Sequence, residues 1–264
     1  MRALVTGAAS GIGRATCLRL ARDARAAGRA ARIAAVDIVP PARMDGLVAE
    51  LRELGAETLA LHGDMGTSDA PGQVVAEAVA RFDGLDGLVS NAGINRPGPL
   101  AEYAVEDWDR VFAVNTRATW LLAKAARAAL QAAGGAIVAV GSMSGTNVHA
   151  GLGAYAPSKA AVIMLVRVLA QELGRDGIRV NSVSPGMTRT GMSVRVYADP
   201  EIAKERDALV PIGRVATPDD MASVIAFLLS PDARYVNGHD LVVDGGLTGN
   251  LLGRLPGLSQ LTRA

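Results

Sequence analysis

The stretch that decides the fold is Arg2-Ala3-Leu4-Val5-Thr6-Gly7-Ala8-Ala9-Ser10-Gly11-Ile12-Gly13, at the start of a 264-residue chain. Its apolar run predicts a β-strand, and the glycines after it predict a tight turn into a helix. The first N–H groups of such a helix have no internal partners and can hold a phosphate. Because glycine-rich turns are common, the rest of the chain must decide between a phosphate site and an ordinary turn.

The same alternation of strand and helix continues along the sequence. Short apolar runs predict seven strands: Ala3–Val5, Ile33–Val36, Thr58–Leu61, Gly87–Ser90, Ala136–Val140, Arg179–Val183 and Asp240–Val243. Helical spacing predicts six helices: Ile12–Ala27, Met44–Leu54, Gly72–Phe82, Val105–Ala133, Ala156–Gly174 and Pro218–Leu229. The strands are apolar on successive residues, which indicates burial on both faces. The sequence therefore predicts a doubly wound parallel sheet of the Rossmann type, with helices on both faces.

The amino-acid composition limits which classes of protein and partner are expected. Half of the residues are hydrophobic and 20% are charged, as in globular domains. The net charge of +1 provides no strong field for nucleic acid or anionic lipid, so neither partner is expected. A single cysteine, and no apolar stretch near the roughly 20 residues needed to cross a bilayer, favour a cytoplasmic protein. We predict one domain over 1–246, with a substrate lid at about 186–211 and a C-terminal tail at 247–264.

An acidic residue ends the second predicted strand. Asp37 lies 24 residues after Gly13, close to the roughly 20 residues typical of a ribose-binding acid. A carboxylate there accepts hydrogen bonds from the adenosine ribose and repels a 2′-phosphate, and neither Ser10 nor Ile38 offers a cation to such a phosphate. The pattern favours NAD over NADP, the alternative being a solvated aspartate at a strand end.

A tyrosine and a lysine open the fifth predicted helix, in Tyr155-Ala156-Pro157-Ser158-Lys159. Four residues apart, they lie on one helical face. The phenol pKa, near 10, is too high for a base at neutral pH, and a neighbouring ammonium lowers it. Ser142 follows the strand Ala136–Val140 and can donate to a substrate oxygen. Taken singly, each of these residues is more often an ordinary surface or loop residue.

These residues, taken with further short motifs, resemble the short-chain dehydrogenase/reductase family over most of the chain, from Arg2 to about Gly246. The motifs that carry the resemblance are Thr6-Gly7-x-x-x-Gly11-Ile12-Gly13, Asn91-Ala92-Gly93, Asn115, Ser142, Tyr155-x-x-x-Lys159, Pro185-Gly186 and Val243-Asp244-Gly245-Gly246. Such a set implies a nicotinamide-dependent oxidoreductase.

The resemblance implies four catalytic residues. Tyr155 would exchange a proton with the substrate oxygen, which Ser142 would orient and polarise. Lys159 would lower the pKa of Tyr155 and hold the nicotinamide ribose. Asn115 would kink its helix and hold a water that links Lys159 to solvent.

The resemblance also implies where cofactor and substrate bind. Asp64 and Met65 match positions that contact the adenine. The complete cofactor-binding set is Gly7, Ser10, Gly11, Ile12, Gly13, Asp37, Asp64, Met65, Asn91, Ala92, Gly93, Tyr155, Lys159, Pro185, Gly186, Thr188 and Thr190. The candidates for the substrate pocket are Ser144, His149, Leu152, Met187 and Met192. No metal is expected, since the histidines lack acidic or cysteine partners at ligand spacing. The family's matching helices build a homotetramer, and we expect one here.

The sequence thus predicts reversible hydride transfer between NAD and a small-molecule secondary alcohol or its ketone. An NADPH-dependent carbonyl or 3-ketoacyl reductase is an alternative, disfavoured by Asp37. A non-catalytic cofactor-binding scaffold is another, disfavoured because it would not require Asn115, Ser142, Tyr155 and Lys159 together. The apolar tail after Gly246 is expected to pack on a neighbouring subunit near the pocket mouth.

Overall fold

The structure is a computed structural model that describes residues 1–194 and 196–250. These residues contain one parallel sheet with the strand order β3-β2-β1-β4-β5-β6-β7. The strands are β1 (Arg2–Thr6), β2 (Arg32–Asp37), β3 (Glu57–His62), β4 (Gly87–Ser90), β5 (Ala136–Val140), β6 (Arg179–Pro185) and β7 (Asp240–Val243). All seven predicted strands are confirmed. The order reverses between β1 and β4, which opens a crevice at the carboxyl ends of these strands.

Helices cover both faces of this sheet. They are α1 (Gly11–Ala26), α2 (Asp45–Glu53), α3 (Ala70–Phe82), α4 (Val105–Phe112), α5 (Ala118–Ala133), α6 (Tyr155–Leu173), α7 (Pro200–Leu209) and α8 (Pro218–Leu229). One buried apolar cluster joins the sheet to α1, α2 and α8. A second joins its other face to α3, α5 and α6. The doubly wound architecture expected from the sequence is confirmed.

The predicted helix Val105–Ala133 is interrupted. Between α4 and α5, residues Ala113–Arg117 form one π-helical turn. Such a turn accommodates one extra residue without ending the helix, and it often marks a functional position. The buried Asn115 lies at its centre. The structure thus has the helix distortion at Asn115 that the family resemblance implied.

The strands differ in burial. The inner strands β4 and β5 are wholly buried, as expected for a sheet covered on both faces. The two edge strands, β3 and β7, are only partly buried. The expectation of complete burial is wrong for these edges, because each has a neighbouring strand on one side only.

The segment predicted as a substrate lid combines irregular backbone with short helical pieces. It contains a short 3₁₀ turn at Gly191–Ser193 and the helix α7. Asp199 caps α7, since its Oδ1 accepts a hydrogen bond of 2.9 Å from Glu201 N. At its base, Arg189 N donates to Ala216 O over 2.9 Å. Of the predicted tail at 247–264, whose packing on a neighbour was expected, residues 251–264 lie outside the described part of the chain.

None of the helices in the described part of the chain is long and apolar enough to cross a lipid bilayer. Among the same residues, no three His, Cys, Asp or Glu side chains are grouped so that they could hold a metal ion.

Candidate active site

The glycine turn between β1 and α1 leaves room for a ligand. Gly7 has a φ of +66°, which favours glycine. A Cβ on Gly13 would lie 2.2 Å from Gly7 O, so no side chain fits at position 13. Ser10 gives α1 no side-chain cap, and the N–H groups of the first turn therefore point toward an anion site. These features fit a pyrophosphate.

Asp37 lies beside this turn and is held by backbone groups. Its Oδ2 accepts a hydrogen bond from Ala9 N at 2.9 Å, and its Oδ1 accepts one from Val39 N at 3.2 Å. Both donors fix the carboxylate at the end of β2, next to the start of α1. The carboxylate can therefore meet a ribose whose phosphate lies on the glycine turn.

Thr6 and Asn91 join β1 to β4 where the strand order reverses. Asn91 Nδ2 donates to Thr6 O at 2.8 Å, and Thr6 Oγ1 accepts hydrogen bonds of 3.0 Å from Asn91 N and Ala92 N. The predicted stretch Asn91-Ala92-Gly93 therefore forms the central wall of the crevice.

One cavity of about 430 Å³, called the large cavity below, extends along this edge of the sheet. Every residue of the predicted cofactor-binding set lines it except Gly13, which packs against Gly7. Ser142 lines it as well, at the same end as Tyr155 and Lys159. The structure therefore brings the glycine turn and the proposed proton-transfer residues to one continuous site.

The hydroxyl of Ser142 is oriented by the turn that follows it. Its Oγ accepts a hydrogen bond of 3.1 Å from Ser144 N, which leaves the hydroxyl proton free to be donated. A hydrogen bond from Ser142 lowers the pKa of Tyr155, but burial of the phenol has the larger effect, so that the pKa is raised overall. The buried phenol is therefore neutral at pH 7.

Lys159 is buried and lies near this phenol. Its Nζ donates to Val140 O at 2.7 Å and lies 5.8 Å from the centroid of the Tyr155 ring. Burial lowers the pKa of Lys159 to about 8. The lowering of the Tyr155 pKa by this amine stays a prediction; burial raises the pKa of the phenol and the hydrogen bond from Ser142 lowers it.

Asn115 ties three parts of the site together. Its Oδ1 accepts from Ile94 N at 2.9 Å, and its Nδ2 donates to Ile94 O at 3.1 Å and to Ser158 Oγ at 2.9 Å. A Cβ on Gly93 would lie 3.3 Å from Asn115 Oδ1 and 3.4 Å from Lys159 Nζ. Asn115 therefore fixes the loop after β4 to α6, directly beside Lys159.

The candidates for the substrate pocket lie in different places. Ser144 Oγ is 3.1 Å from His149 Nδ1, and both residues line a second cavity of about 380 Å³ with Leu247 and Thr248. Leu152 pairs with Gly98 in an isolated bridge. Leu152 and Met187 line neither of these two cavities, and the side chain of Met192 is outside what the structure describes.

Sequence reasoning missed one charged residue of the large cavity. Arg110 of α4 lines it beside Asp64, with Arg110 Nη2 only 2.8 Å from Asp64 Oδ1. Val114, one helical turn further on, lines it too. This i, i+4 spacing on a helix that leads into the Asn115 turn is the signal that could have identified Arg110.

The fold and this site together define a class of dinucleotide-dependent oxidoreductases, and comparison with known proteins agrees. A family model described as enoyl-(acyl carrier protein) reductase matches residues 7–248. The chain is 41% identical over 256 residues to (3R)-3-hydroxyacyl-CoA dehydrogenase of Mus musculus, covering 93% of this chain and 95% of that protein. It is 39% identical over 250 residues to D-threitol dehydrogenase of Mycolicibacterium smegmatis, covering 93% and 92%.

A solved structure agrees with this assignment. A short-chain dehydrogenase from Burkholderia cenocepacia, crystallised in complex with NADP, matches with a TM-score of 0.84 and 38% identity over 94% of this chain and 97% of that one. The chain belongs to the short-chain dehydrogenase/reductase family, and it is an oxidoreductase.

Proposed function

We propose that the protein interconverts a secondary alcohol and its ketone with NAD(H) as the redox partner. The observation that carries this proposal is the single cavity that joins Asp37 and the glycine turn to Ser142, Tyr155 and Lys159. A bound nicotinamide ring would accept or release the hydride. The names of the mouse and mycobacterial relatives, both dehydrogenases, support an alcohol as the substrate.

The proposed roles follow from the hydrogen-bond directions. Ser142 accepts from Ser144 N, so its own proton is available for the substrate oxygen. Tyr155, next to Ser142, would give its phenol proton to the ketone oxygen during reduction, and as the phenolate it would take the proton of the alcohol during oxidation. The charge of Lys159 would stabilise the phenolate as it forms, and the same amine would hold the nicotinamide ribose. Asn115 would hold a water that links Lys159 to solvent, since Asn115 Oδ1 and Lys159 Nζ lie 3.3 and 3.4 Å from the place that a Cβ on Gly93 would take.

The preference for NAD rests on Asp37. A carboxylate fixed by Ala9 N and Val39 N would accept hydrogen bonds from ribose hydroxyls and repel a 2′-phosphate. One observation favours the alternative, an NADPH-dependent carbonyl or 3-ketoacyl reductase: the Burkholderia relative was crystallised with NADP. Comparing kcat/KM with the two cofactors separates these candidates.

The second cavity is the proposed place for the rest of the substrate. Ser144 and His149 there offer a hydrogen-bonding pair, and Leu247 offers apolar surface. Ser144 N also donates a hydrogen bond to Ser142 Oγ. This cavity therefore begins two residues along the chain from Ser142, which would orient the substrate oxygen. Leu152, Met187 and Met192 stay predictions as substrate contacts.

The experiment that tests the function is an NAD-linked screen of secondary alcohols that includes 3-hydroxyacyl thioesters, polyols and cyclic alcohols. We expect at least one class to reduce NAD, and its ketone to oxidise NADH. Binding of NADH without turnover of any alcohol or ketone would instead support the cofactor-binding scaffold.

Location and assembly are proposed as well. We propose that residues 1–246 form a single domain with its lid and that the protein is cytoplasmic. The single cysteine, Cys17, is a buried free thiol, which a reducing compartment permits.

A homotetramer is supported by exposed apolar side chains on α5 and α6 and at the β7 edge: Trp120, Met164, Val168 and Val242. Light scattering should give four times the chain mass, and a monomer at micromolar concentration would contradict the proposal.

A further inference from the structure

The loop between β4 and α4 connects two of the residues to which the proposed function gives a role. At its start, Ile94 N donates a hydrogen bond to Asn115 Oδ1 and Ile94 O accepts one from Asn115 Nδ2. Further along the loop, Gly98 O accepts a hydrogen bond of 3.0 Å from Gly153 N. Gly153 lies two residues before Tyr155, the first residue of α6. The loop therefore joins Asn115 to the turn that precedes Tyr155.

That turn determines how α6 begins. A second bond joins it to the loop, because Gly98 N donates to Gly151 O at 2.9 Å. Gly151 and Gly153 have φ angles of +81° and +54°, a backbone conformation that favours glycine. Immediately after this turn, Tyr155 N donates to Leu152 O at 3.1 Å. The place of the Tyr155 phenol thus depends on the place of the turn.

The side chain of Tyr103 holds the loop and the turn together. Its Oη donates a hydrogen bond of 2.6 Å to Arg96 O, within the same loop. A Cβ on Gly153 would lie 2.5 Å from Tyr103 Cζ, and a Cβ on Gly98 would lie 3.3 Å from Tyr103 Cδ2. The ring therefore lies against the backbone on both sides of the hydrogen bond between Gly98 and Gly153.

Other contacts of this loop are weaker or more distant from Tyr155. Arg96 forms an ion pair with Asp107 of α4, but the two side chains are 50% and 35% exposed, so the pair contributes little to stability. Tyr103 lines neither the large cavity nor the second one. Any effect of Tyr103 on the reaction must therefore pass through the backbone that its ring contacts.

We infer that Tyr103 is a positioning residue for proton transfer, which acts on Tyr155 through Gly153. Its ring fixes the turn before α6 and so keeps the phenol at the height of Ser142 and Lys159. Displacing a reacting group by about 1 Å can slow a reaction by about a hundredfold. The inference rests on the proposed function, since it takes Tyr155 to be the residue that moves the proton.

The test measures Tyr103→Ala with the alcohol that gives the highest rate in the NAD-linked screen. We expect kcat to fall by about ten- to a hundredfold, because the phenol is displaced. The KM for the alcohol and the dissociation constant of NADH, from fluorescence titration, should stay close to their wild-type values, since both cavities keep their lining. Hydrogen exchange at the amides of Gly98 and Gly153 should become faster, which is measured without substrate.

Two further variants separate positioning from a general loss of structure. Tyr103→Phe keeps the ring and loses the bond to Arg96 O, so kcat should fall by about fivefold at most. Gly153→Ala places a methyl group against the ring and should also lower kcat. Because Tyr103→Ala removes that ring, the double variant should lose less activity than the product of the two single losses.

Tyr235→Ala is the matched control, because this side chain is fully exposed, and it should leave kcat, KM and NADH affinity unchanged. Wild-type kcat in Tyr103→Ala, with Tyr155→Phe inactive, would overturn the inference alone. Equal losses of kcat and NADH affinity in Tyr103→Ala, or losses that simply multiply in the double variant, would overturn it as well. A wild type that turns over no alcohol or ketone would overturn the proposed function, and the positioning role with it.

Discussion

At the two ends of the large cavity, different physical effects act on the ionisable side chains. At the proposed adenosine end, Asp37 receives two backbone N–H groups, and Asp64 receives Gly66 N and the guanidinium of Arg110. The hydrogen bonds to Asp64 lower its pKa, so this carboxylate is stabilised as an anion before any ligand arrives. At the other end, burial dominates: it lowers the pKa of Lys159 to about 8 and raises the pKa of Tyr155.

The difference suits the two tasks that the proposed function assigns to this edge of the sheet, cofactor recognition and proton transfer. Recognition needs groups whose charge is constant. The free-energy cost of keeping a carboxylate charged is small where hydrogen-bond donors surround it. Proton transfer needs groups that change charge, and burial brings the amine of Lys159, whose pKa is lowered to about 8, near the balance between its two forms. The following predictions test this contrast, beginning with the largest effect.

Replacing the phenol hydroxyl should separate the two ends most clearly. Tyr155→Phe removes the proton carrier, so turnover should fall by about a thousandfold or more, within the range of general acid–base catalysis. NADH affinity should stay close to the wild-type value, because the glycine turn and Asp37 remain. The measurement is kcat with an active alcohol alongside fluorescence titration of NADH.

Tyr235→Phe is the matched control, since that side chain is fully exposed. It should leave both quantities unchanged. Substantial activity in Tyr155→Phe would mean that another group carries the proton, and the assignment of the catalytic end would fail.

The sequence predicts the proposed adenosine end of the cavity better than the end that holds Tyr155 and Lys159. Strands such as β4 and β5 are buried on both faces, so their apolar runs are continuous and easy to recognise. Position relative to a strand end then suffices to bring Asp37 beside Gly7, because parallel strands end at one edge of the sheet. These relations are local in sequence or follow from topology.

What the sequence did not predict depends on contacts that spacing does not encode. The pair of Asp64 and Arg110 joins a loop after β3 to α4, 46 residues further on. The bond from Lys159 Nζ to Val140 O depends on the path of a flexible side chain in the packed core. The distortion around Asn115 was implied by the family resemblance alone, because the π-helical turn adds one residue to a helix whose apolar periodicity continues on either side.

The next prediction concerns cofactor choice at the adenosine end. Asp37→Ala removes the charge that would oppose a 2′-phosphate, so the ratio of kcat/KM for NAD over NADP should fall by about ten- to a hundredfold, as expected when like-charge repulsion of a few kcal/mol is relieved. Asp176→Ala, which removes the acceptor of an ion pair with Arg127 outside the cavity, is the control and should leave the ratio unaltered. If Asp37→Ala retains the wild-type ratio, the carboxylate does not discriminate between the two cofactors at the adenosine ribose.

The smallest predicted effect is the pH dependence of stability that the buried amine causes. Lys159 has an ordinary pKa of 10.5 when unfolded and about 8 in the fold. Between these values the unfolded chain binds more protons than the folded one, so the free energy of unfolding should rise with pH. From pH 7.5 to 9.5 the gain from this group should be on the order of 1 kcal/mol.

Lys159→Met should flatten this rise, whatever its effect on absolute stability, because methionine does not titrate. Urea unfolding at several pH values below 10 measures the slope and avoids ionisation of Tyr155, whose pKa is raised. Lys124→Met is the control: this lysine lies over the exposed Trp120 ring, so the variant should keep the wild-type slope. An equal slope in wild type and Lys159→Met would mean that the amine is not held out of water. The contrast would then reduce to Tyr155 alone, whose neutral form burial would still favour.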